Sequence, residues 1–317
     1  MPFLLRAGVK IWWDSIGFGR PMLLIQGLGY PSDASWRILP ALATRHQVIL
    51  LDNRGSGRSD SPAGAFTIEE LAADAVAVLE AAGVGSAHVA GFSMGGLIAQ
   101  EVALSRPDLV STLILGCASP GGKDAIPLSK KVAERFTDWG TLSAEEAAWR
   151  ASAVCYREST PRAAIRADIA VRMQHRSDRR GYVSQVRAVA KYRGAGSRMR
   201  PRWTSPTLVV HGAADLIVPV ANAQRLKDVL PHAEVAIFPD AGHILMTDAQ
   251  QELTETMLDF MDRHPGAFKR STPVAGSSAR RRPWSSSRRS ARVASVRVRC
   301  PWPTSSTGPS AARARAR

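Results

Sequence analysis

Val89-Ala90-Gly91-Phe92-Ser93-Met94-Gly95-Gly96 decides how the rest of this 317-residue chain is read. It fits the pattern G-x-S-x-G, in which a strand turns sharply into a helix and leaves a serine hydroxyl at the apex. Small residues are needed at the flanking places because the backbone is too tight there for side chains. Gly and Ser meet at this spacing by chance, so the flanks carry the weight. Ala87-His88-Val89-Ala90 reads as a short buried strand. Leu97 to Leu104 reads as a helix that ends before Pro107. The alternative is a Gly-rich structural turn with an idle serine.

Working outward, apolar runs and amphipathic stretches alternate. Residues 3–14 form two short apolar runs around Ala7-Gly8, an N-terminal hairpin. Residues 22–26, 47–52 and 110–116 are strands, and residues 36–42 and 68–82 are helices. Thr67 and Glu70 make a capping box for the helix 68–82, with Ile68, Leu71, Val78 and Leu79 on one face. Continuous apolar strands between amphipathic helices indicate a doubly wound, mostly parallel sheet covered on both faces. Residues 119–204 break the rhythm with helices only. Ser143 and Glu146 are a second capping box there, Thr160-Pro161 opens a helix with proline first, and a further helix covers 178–193. Alternation resumes with strands at 207–211 and 234–238 and helices at 220–230 and 248–263.

The net charge of +15 is unevenly spread. Residues 1–149 carry 12 Lys/Arg against 15 Asp/Glu, and residues 203–265 carry 3 against 9. Residues 150–202 carry 14 against 3, and residues 266–317 carry 13 against 0. The basic excess therefore sits in the helical insertion and a tail, which argues against nucleic-acid binding by the whole chain. The tail, 266–317, is rich in Ser, Arg, Pro and Ala and reads as disordered. It is either a basic arm for an anionic surface or an extension without a role, resembling out-of-frame translation of a GC-rich gene. No run approaches a membrane span, and residues 1–20 lack the pattern of a signal peptide. Cys117, Cys155 and Cys300 are widely spaced, so a reducing cytoplasm is expected.

A serine hydroxyl needs a base to take its proton and an acid to orient that base. In G-x-S-x-G sites the order along the chain is Ser, acid, His. Asp215 follows strand 207–211, and His243 follows strand 234–238 in Asp240-Ala241-Gly242-His243. Both lie where ligands of open α/β sheets bind. Asp240 is a rival acid, better suited to shaping its loop. Asp52, His46, His88 and His211 read as structural, and His175 as a surface residue. The oxyanion donors expected are the backbone N–H groups of Met94 and Leu28. Gly55-Ser56-Gly57-Arg58-Ser59 lacks the lysine and spacing of a phosphate loop. The spacing of potential ligands suggests no metal, and no cofactor is expected.

These stretches together resemble the α/β-hydrolase superfamily over about residues 9–263. The resemblance rests on Gln26-Gly27-Leu28-Gly29, Asp52-Asn53-Arg54-Gly55-Ser56-Gly57-Arg58-Ser59, the Ser93 motif, Gly212-Ala213-Ala214-Asp215 and Gly242-His243. It implies a hydrolase core in two parts, 1–118 and 205–265, with 119–204 as a helical cap. Gln26 departs from the pattern, since many members have His there. Serine at position 93 argues against epoxide hydrolases and dehalogenases, which use Asp. The local wording is similar to enol-lactonases and small carboxylesterases. The resemblance implies a small ester or lactone as substrate, an acyl-enzyme intermediate and the triad Ser93, Asp215 and His243. A non-catalytic receptor for a small hydrophobic signal and a cofactor-free haloperoxidase or perhydrolase share the same fold. Arg166, Arg172 or Arg176 would favour a carboxylate-bearing substrate if they face the site. Trp139, Trp149, Tyr156 and Trp203 either line an apolar pocket or belong to the core.

Overall fold

Strand-forming runs that are apolar at every position must be buried on both faces, and the computed structural model places them so. It describes residues 3–136, 142–175, 177–200 and 203–266. In chain order the core opens with β1 (Phe3–Arg6), β2 (Val9–Ile16), β3 (Arg20–Ile25), the short helix α1 (Leu39–Leu42) and β4 (His46–Leu51). It continues with α2 (Ile68–Ala81), β5 (Ala87–Phe92), α3 (Met94–Ser105) and β6 (Val110–Gly116). The helical insertion follows as α4 (Lys130–Ala133), α5 (Ala144–Cys155), α6 (Arg162–Gln174), α7 (Arg179–Lys191) and α8 (Gly196–Met199). The chain then returns through β7 (Thr207–Gly212), α9 (Ala221–Val229), β8 (Glu234–Phe238), α10 (Leu245–Asp248) and α11 (Gln250–Arg263).

The eight strands form one sheet in the order β1-β2-β4-β3-β5-β6-β7-β8. β1 and β2 pair antiparallel, as do β2 and β4, and the remaining neighbours are parallel. Alternate residues of each strand enter opposite cores. Leu23, Ile25, Val89, Leu113 and Val209 pack with α2, α3 and α9. Met22, Leu24, Ala90, Ile114 and Val210 pack with α1, α10 and α11. That two-sided burial removes the polar alternation a half-exposed strand would show. β4 lies on one side of β3 and β5 on the other. The winding therefore reverses at β3, which opens a crevice at the carboxyl ends of β3 and β5.

Both capping boxes form. The side chains of Thr67 and Ser143 accept from the N–H groups of Glu70 and Glu146, and the two glutamates accept in return. Three local expectations shift. The helix expected over 36–42 is a short 3-10 turn (Ser32–Ser35) followed by α1, because Pro40 lacks the N–H that would continue an earlier turn. Pro161 caps α6 from outside the helix, at ψ 130°, instead of occupying its first position. The closing helix is divided at Ala249, whose φ of −134° interrupts it between α10 and α11. No helix among the described residues is long and apolar enough to cross a membrane. The basic tail expected over 266–317 lies outside the described residues beyond Gly266.

Candidate active site

Ser93 stands at the reversal point, between the end of β5 and the start of α3. Its backbone is forced to φ 55° and ψ −121°, a region costly for a residue with a side chain. The neighbouring glycines are what permit this. A Cβ at Gly91 would overlap the carbonyl of Gly95, and one at Gly95 would overlap the carbonyl of Ile25. The tight elbow leaves Ser93 half-buried, next to the Gly27 turn, where a Cβ on Gly27 would lie 3.1 Å from that of Ser93.

The loops after β6, β7 and β8 meet on the same edge of the sheet. Ser93 N–H donates to Gly116 O at 2.8 Å, and the Cys117 thiol reaches Gly242 O at 3.9 Å. His243 Nδ1 lies 2.8 Å from Asp215 Oδ2. The acceptor is a carboxylate, so this nitrogen carries the proton and Nε2 is left able to accept one. Asp215 is itself held by four donors. Its Oδ1 accepts from the N–H groups of Ile217 and Val218 at 2.8 and 2.9 Å. Its Oδ2 also lies 3.3 Å from His211 Nε2. Burial opposes ionisation of Asp215, but the neighbouring His243 and these hydrogen bonds outweigh it. They hold the carboxyl well below the usual carboxylate range.

Three residues support this cluster, in roles the sequence did not signal. The first is His211, whose Nε2 faces two acceptors, Val218 O at 2.8 Å and Asp215. Its proton must therefore sit on Nε2, and the residue is structural as expected while also bracing the acid. The second is Asp248. It accepts from Gly242 N–H and Arg157 N–H, both at 2.9 Å, and from the Thr160 hydroxyl at 2.6 Å. One carboxylate thus ties the His243 loop to the helical insertion, and Ile244 N–H adds a bond to Cys155 O at 3.0 Å. The third is Gln185 on α7. It accepts from Gly29 N–H at 2.7 Å and donates to Arg54 O and to the Ser56 hydroxyl. That fixes the turn carrying Leu28.

Among the described residues, the backbone N–H groups of Leu28 and Met94 donate to no other group. Met94 is the first residue of α3, where free N–H groups and the helix dipole favour negative charge. Gln26, in the place of the more usual His, donates to the Ser35 hydroxyl at 2.6 Å and stays buried. Cys117, Asp215 and His243 bring potential metal-ligand atoms within 4.8 Å of one another, which the spacing in sequence did not suggest. Burial and Asp215 push the Cys117 thiol well above its ordinary range, and the Asp215 oxygens are already committed to donors. The trio fits an acid-histidine pair with a packed neutral thiol better than three free ligands.

A narrow recess, with room for about one water, lies between α5, α6 and the Tyr30 turn. Tyr156 lines it and donates to Asp168 at 3.2 Å. Two of the other aromatics are elsewhere. Trp203 is a core residue, because its ring fills the cluster beneath the sheet and its indole N–H is satisfied by Thr207 at 2.8 Å. Trp149 stacks under the Arg162 guanidinium, 4.8 Å away, instead of lining the cavity. Trp139 lies outside the described residues, as does Arg176. Of the rival residues, Asp52 is bonded to Ser32 and Arg58, and His88 to Thr112. Asp240 is exposed, and His175 bonds Asp33 at 2.8 Å.

An eight-stranded, mostly parallel sheet with a serine elbow at its switch point defines the α/β-hydrolase class. The chain belongs to the alpha/beta hydrolase fold family, whose model matches residues 20–250, and it is a hydrolase of that family. Among its relatives is a protein of Azorhizobium caulinodans named "Putative carbamate hydrolase RutD". The two are 43% identical over 116 residues, which are 36% of this chain and 43% of that protein. The match thus spans less than half the length of that relative. "Putative non-heme bromoperoxidase BpoC" of Mycobacterium tuberculosis is 28% identical over 80% of this chain and 97% of its own. The solved structure of Est816, described as an N-acyl homoserine lactone degrading enzyme, superposes with a TM-score of 0.69 at 28% identity. It covers 82% of this chain and 100% of that one.

Proposed function

We propose that this protein is a serine hydrolase that cleaves a small carboxylic ester or lactone through an acyl-enzyme intermediate. Ser93 is the nucleophile, His243 the general base and Asp215 the acid that orients it. The observation that carries this reading is the 2.8 Å contact between Asp215 Oδ2 and His243 Nδ1, beside a serine elbow on the same sheet edge. The proton on Nδ1 leaves Nε2 to take the Ser93 hydroxyl proton as Oγ bonds to the substrate carbonyl. The free N–H groups of Leu28 and Met94 are suited to the charge that develops on the carbonyl oxygen. His243 returns the proton to the departing alkoxide. Water then attacks the acyl-serine with His243 again as base, releasing the acid and restoring Ser93.

Relatives named for hydrolysing a carbamate or degrading a lactone support an acyl-type substrate, and an ester or lactone uses every group assigned here. No cofactor or metal enters the mechanism, and the wide spacing of the cysteines supports a cytoplasmic protein. The test is intact-mass analysis after treatment with a fluorophosphonate. One adduct on the wild type and none on Ser93→Ala is expected. A folded wild type that takes no adduct would favour a receptor without catalysis and sink the proposal.

A further inference from the structure

Gly29, next to the expected oxyanion donor Leu28, is held at both its N–H and its carbonyl by the helical insertion. The N–H donates to Gln185 Oε1 at 2.7 Å, and the carbonyl accepts from the Ser177 hydroxyl at 3.3 Å. Tyr30 N–H donates to Gly27 O at 3.2 Å, so residues 27–30 close a turn with Leu28 and Gly29 at its centre. Gly29 has φ +70°, whereas Leu28 is outside the left-handed region. A positive φ at the third place alone marks a type II turn, whose central peptide is turned over relative to that of a type I turn. The N–H that Gln185 accepts belongs to that central peptide. The bond therefore selects one of two orientations for the peptide adjoining Leu28.

Gln185 is fully buried, and both ends of its amide are engaged. Its Nε2 donates to Arg54 O at 2.9 Å and to the Ser56 hydroxyl at 2.8 Å. Arg54 is fastened in turn to Asp74 on α2 by two bonds, of 2.6 and 2.7 Å. One amide from α7 thus joins the Leu28 turn to a second turn that is anchored in the core. The fit is close on both sides. A Cβ on Gly29 would lie 2.7 Å from the Tyr182 ring, and one on Gly55 would lie 3.0 Å from Gly181 Cα. α7 rests directly on the two turns, and Gln185 enters between them.

Resting on the hydrolase reading, we infer that Gln185 is a positioning residue for the oxyanion site. It holds the Leu28–Gly29 peptide so that Leu28 N–H faces the reacting carbonyl, and it makes that geometry depend on α7 being seated. Gln185 acts through Gly29 and touches no substrate atom. The coupling must run both ways: an oxyanion bound at the turn favours the seated α7 by the same factor as the seated helix favours the oxyanion.

The experiment uses Gln185→Met, which keeps the length of the side chain and removes its amide. Tyr192→Phe is the comparison, since it removes a 2.6 Å bond to Glu101 at the other end of α7 without touching the turn. The readouts are kcat and KM for p-nitrophenyl butyrate and the inhibition constant of an alkyl trifluoromethyl ketone. Ser93 Oγ adds to the ketone carbon, its proton passes to His243, and the ketone oxygen becomes an oxyanion. Gln185→Met is expected to lower kcat by about tenfold or more and to weaken the ketone in parallel, with KM within about twofold of wild type. Tyr192→Phe is expected to lower the urea midpoint and leave both readouts unchanged. A folded Gln185→Met enzyme with wild-type kcat, or with kcat lowered and ketone binding intact, overturns the inference. Equal losses in Tyr192→Phe overturn it too, because any loosening of the insertion would then suffice. If Gln185→Met does not fold, hydrogen exchange on the wild type decides. The bound ketone should slow exchange in residues 177–186 as well as 27–30, and protection missing from 177–186 overturns the inference. A wild type with neither ester turnover nor a ketone adduct is a different result. It removes the hydrolase reading and this inference with it.

Discussion

Asp215→Asn isolates the link between the acid and the histidine. Asp215 takes four donors on two oxygens, whereas asparagine has one accepting oxygen and one donating nitrogen. If the oxygen keeps the N–H groups of Ile217 and Val218, the amide nitrogen faces two ring N–H groups. His243 escapes by moving its proton to Nε2, which is the tautomer unable to accept the proton of Ser93. His211 has no such escape, because its Nε2 proton also serves Val218 O, and its buried Nδ1 has no hydrogen-bond partner among the described residues. The stability cost is one charge-assisted hydrogen bond plus one unmatched buried donor, about 3 kcal/mol together. The rate cost is larger, since the wrong tautomer of a triad histidine lowers kcat by about 10⁴-fold. Turnover of p-nitrophenyl acetate and a urea melt measure both, with Asp240→Asn as the comparison. A folded Asp215→Asn enzyme within tenfold of wild-type kcat would refute the assignment, and loss of activity in Asp240→Asn alone would transfer the role.

Three further outcomes are expected. The carboxyl of Asp215 is held ionised in the fold, so as pH falls the unfolded chain takes up its proton first and the native state loses this contribution. The stability gap between wild type and Asp215→Asn should therefore be full above the ordinary Asp range, near about 3.9, and shrink in urea melts at lower pH; a gap independent of pH would contradict the cause given for the shift. Gly95→Ala puts a Cβ into the carbonyl of Ile25 and 2.8 Å from that of Gln26, separating α3 from β3; a loss of about 3 kcal/mol is expected, and an unchanged melting temperature would show that the elbow tolerates a side chain. Asp248→Ala strands the N–H groups of Gly242 and Arg157, so both stability, by about 3 kcal/mol, and kcat should drop, and full activity would show that the His243 loop holds without its tie to the insertion.

Much of the site was legible because its determinants are local. The elbow needs small residues within five positions, and the two capping boxes each need two residues three apart. The strands announce themselves because both of their faces are buried. Chain order then pointed to Asp215 and His243, each in the loop after its strand, and the structure brings the two within 2.8 Å. Errors arose where one residue outweighed a periodic pattern, as Pro40 did in dividing the helix expected over 36–42.

What only the tertiary structure decided lies in contacts between distant segments. Gln185 steadies Gly29 from 156 residues away, and Asp248 binds Thr160 across 88. The sequence contains those side chains but says nothing of which loop each will meet. Trp203 and Tyr156 looked alike as candidates, yet one fills the core and the other lines the cavity. The same holds for Arg172, one of 14 basic residues in a segment whose charge was plain from the start. That it lies over the Tyr30 ring, beside an Asp168 already paired with Arg37, is visible only in the tertiary structure. Turn geometry, capping and burial pattern act over a few residues and are written along the chain. Charge pairing and cavity lining depend on how segments far apart pack across the ends of the sheet.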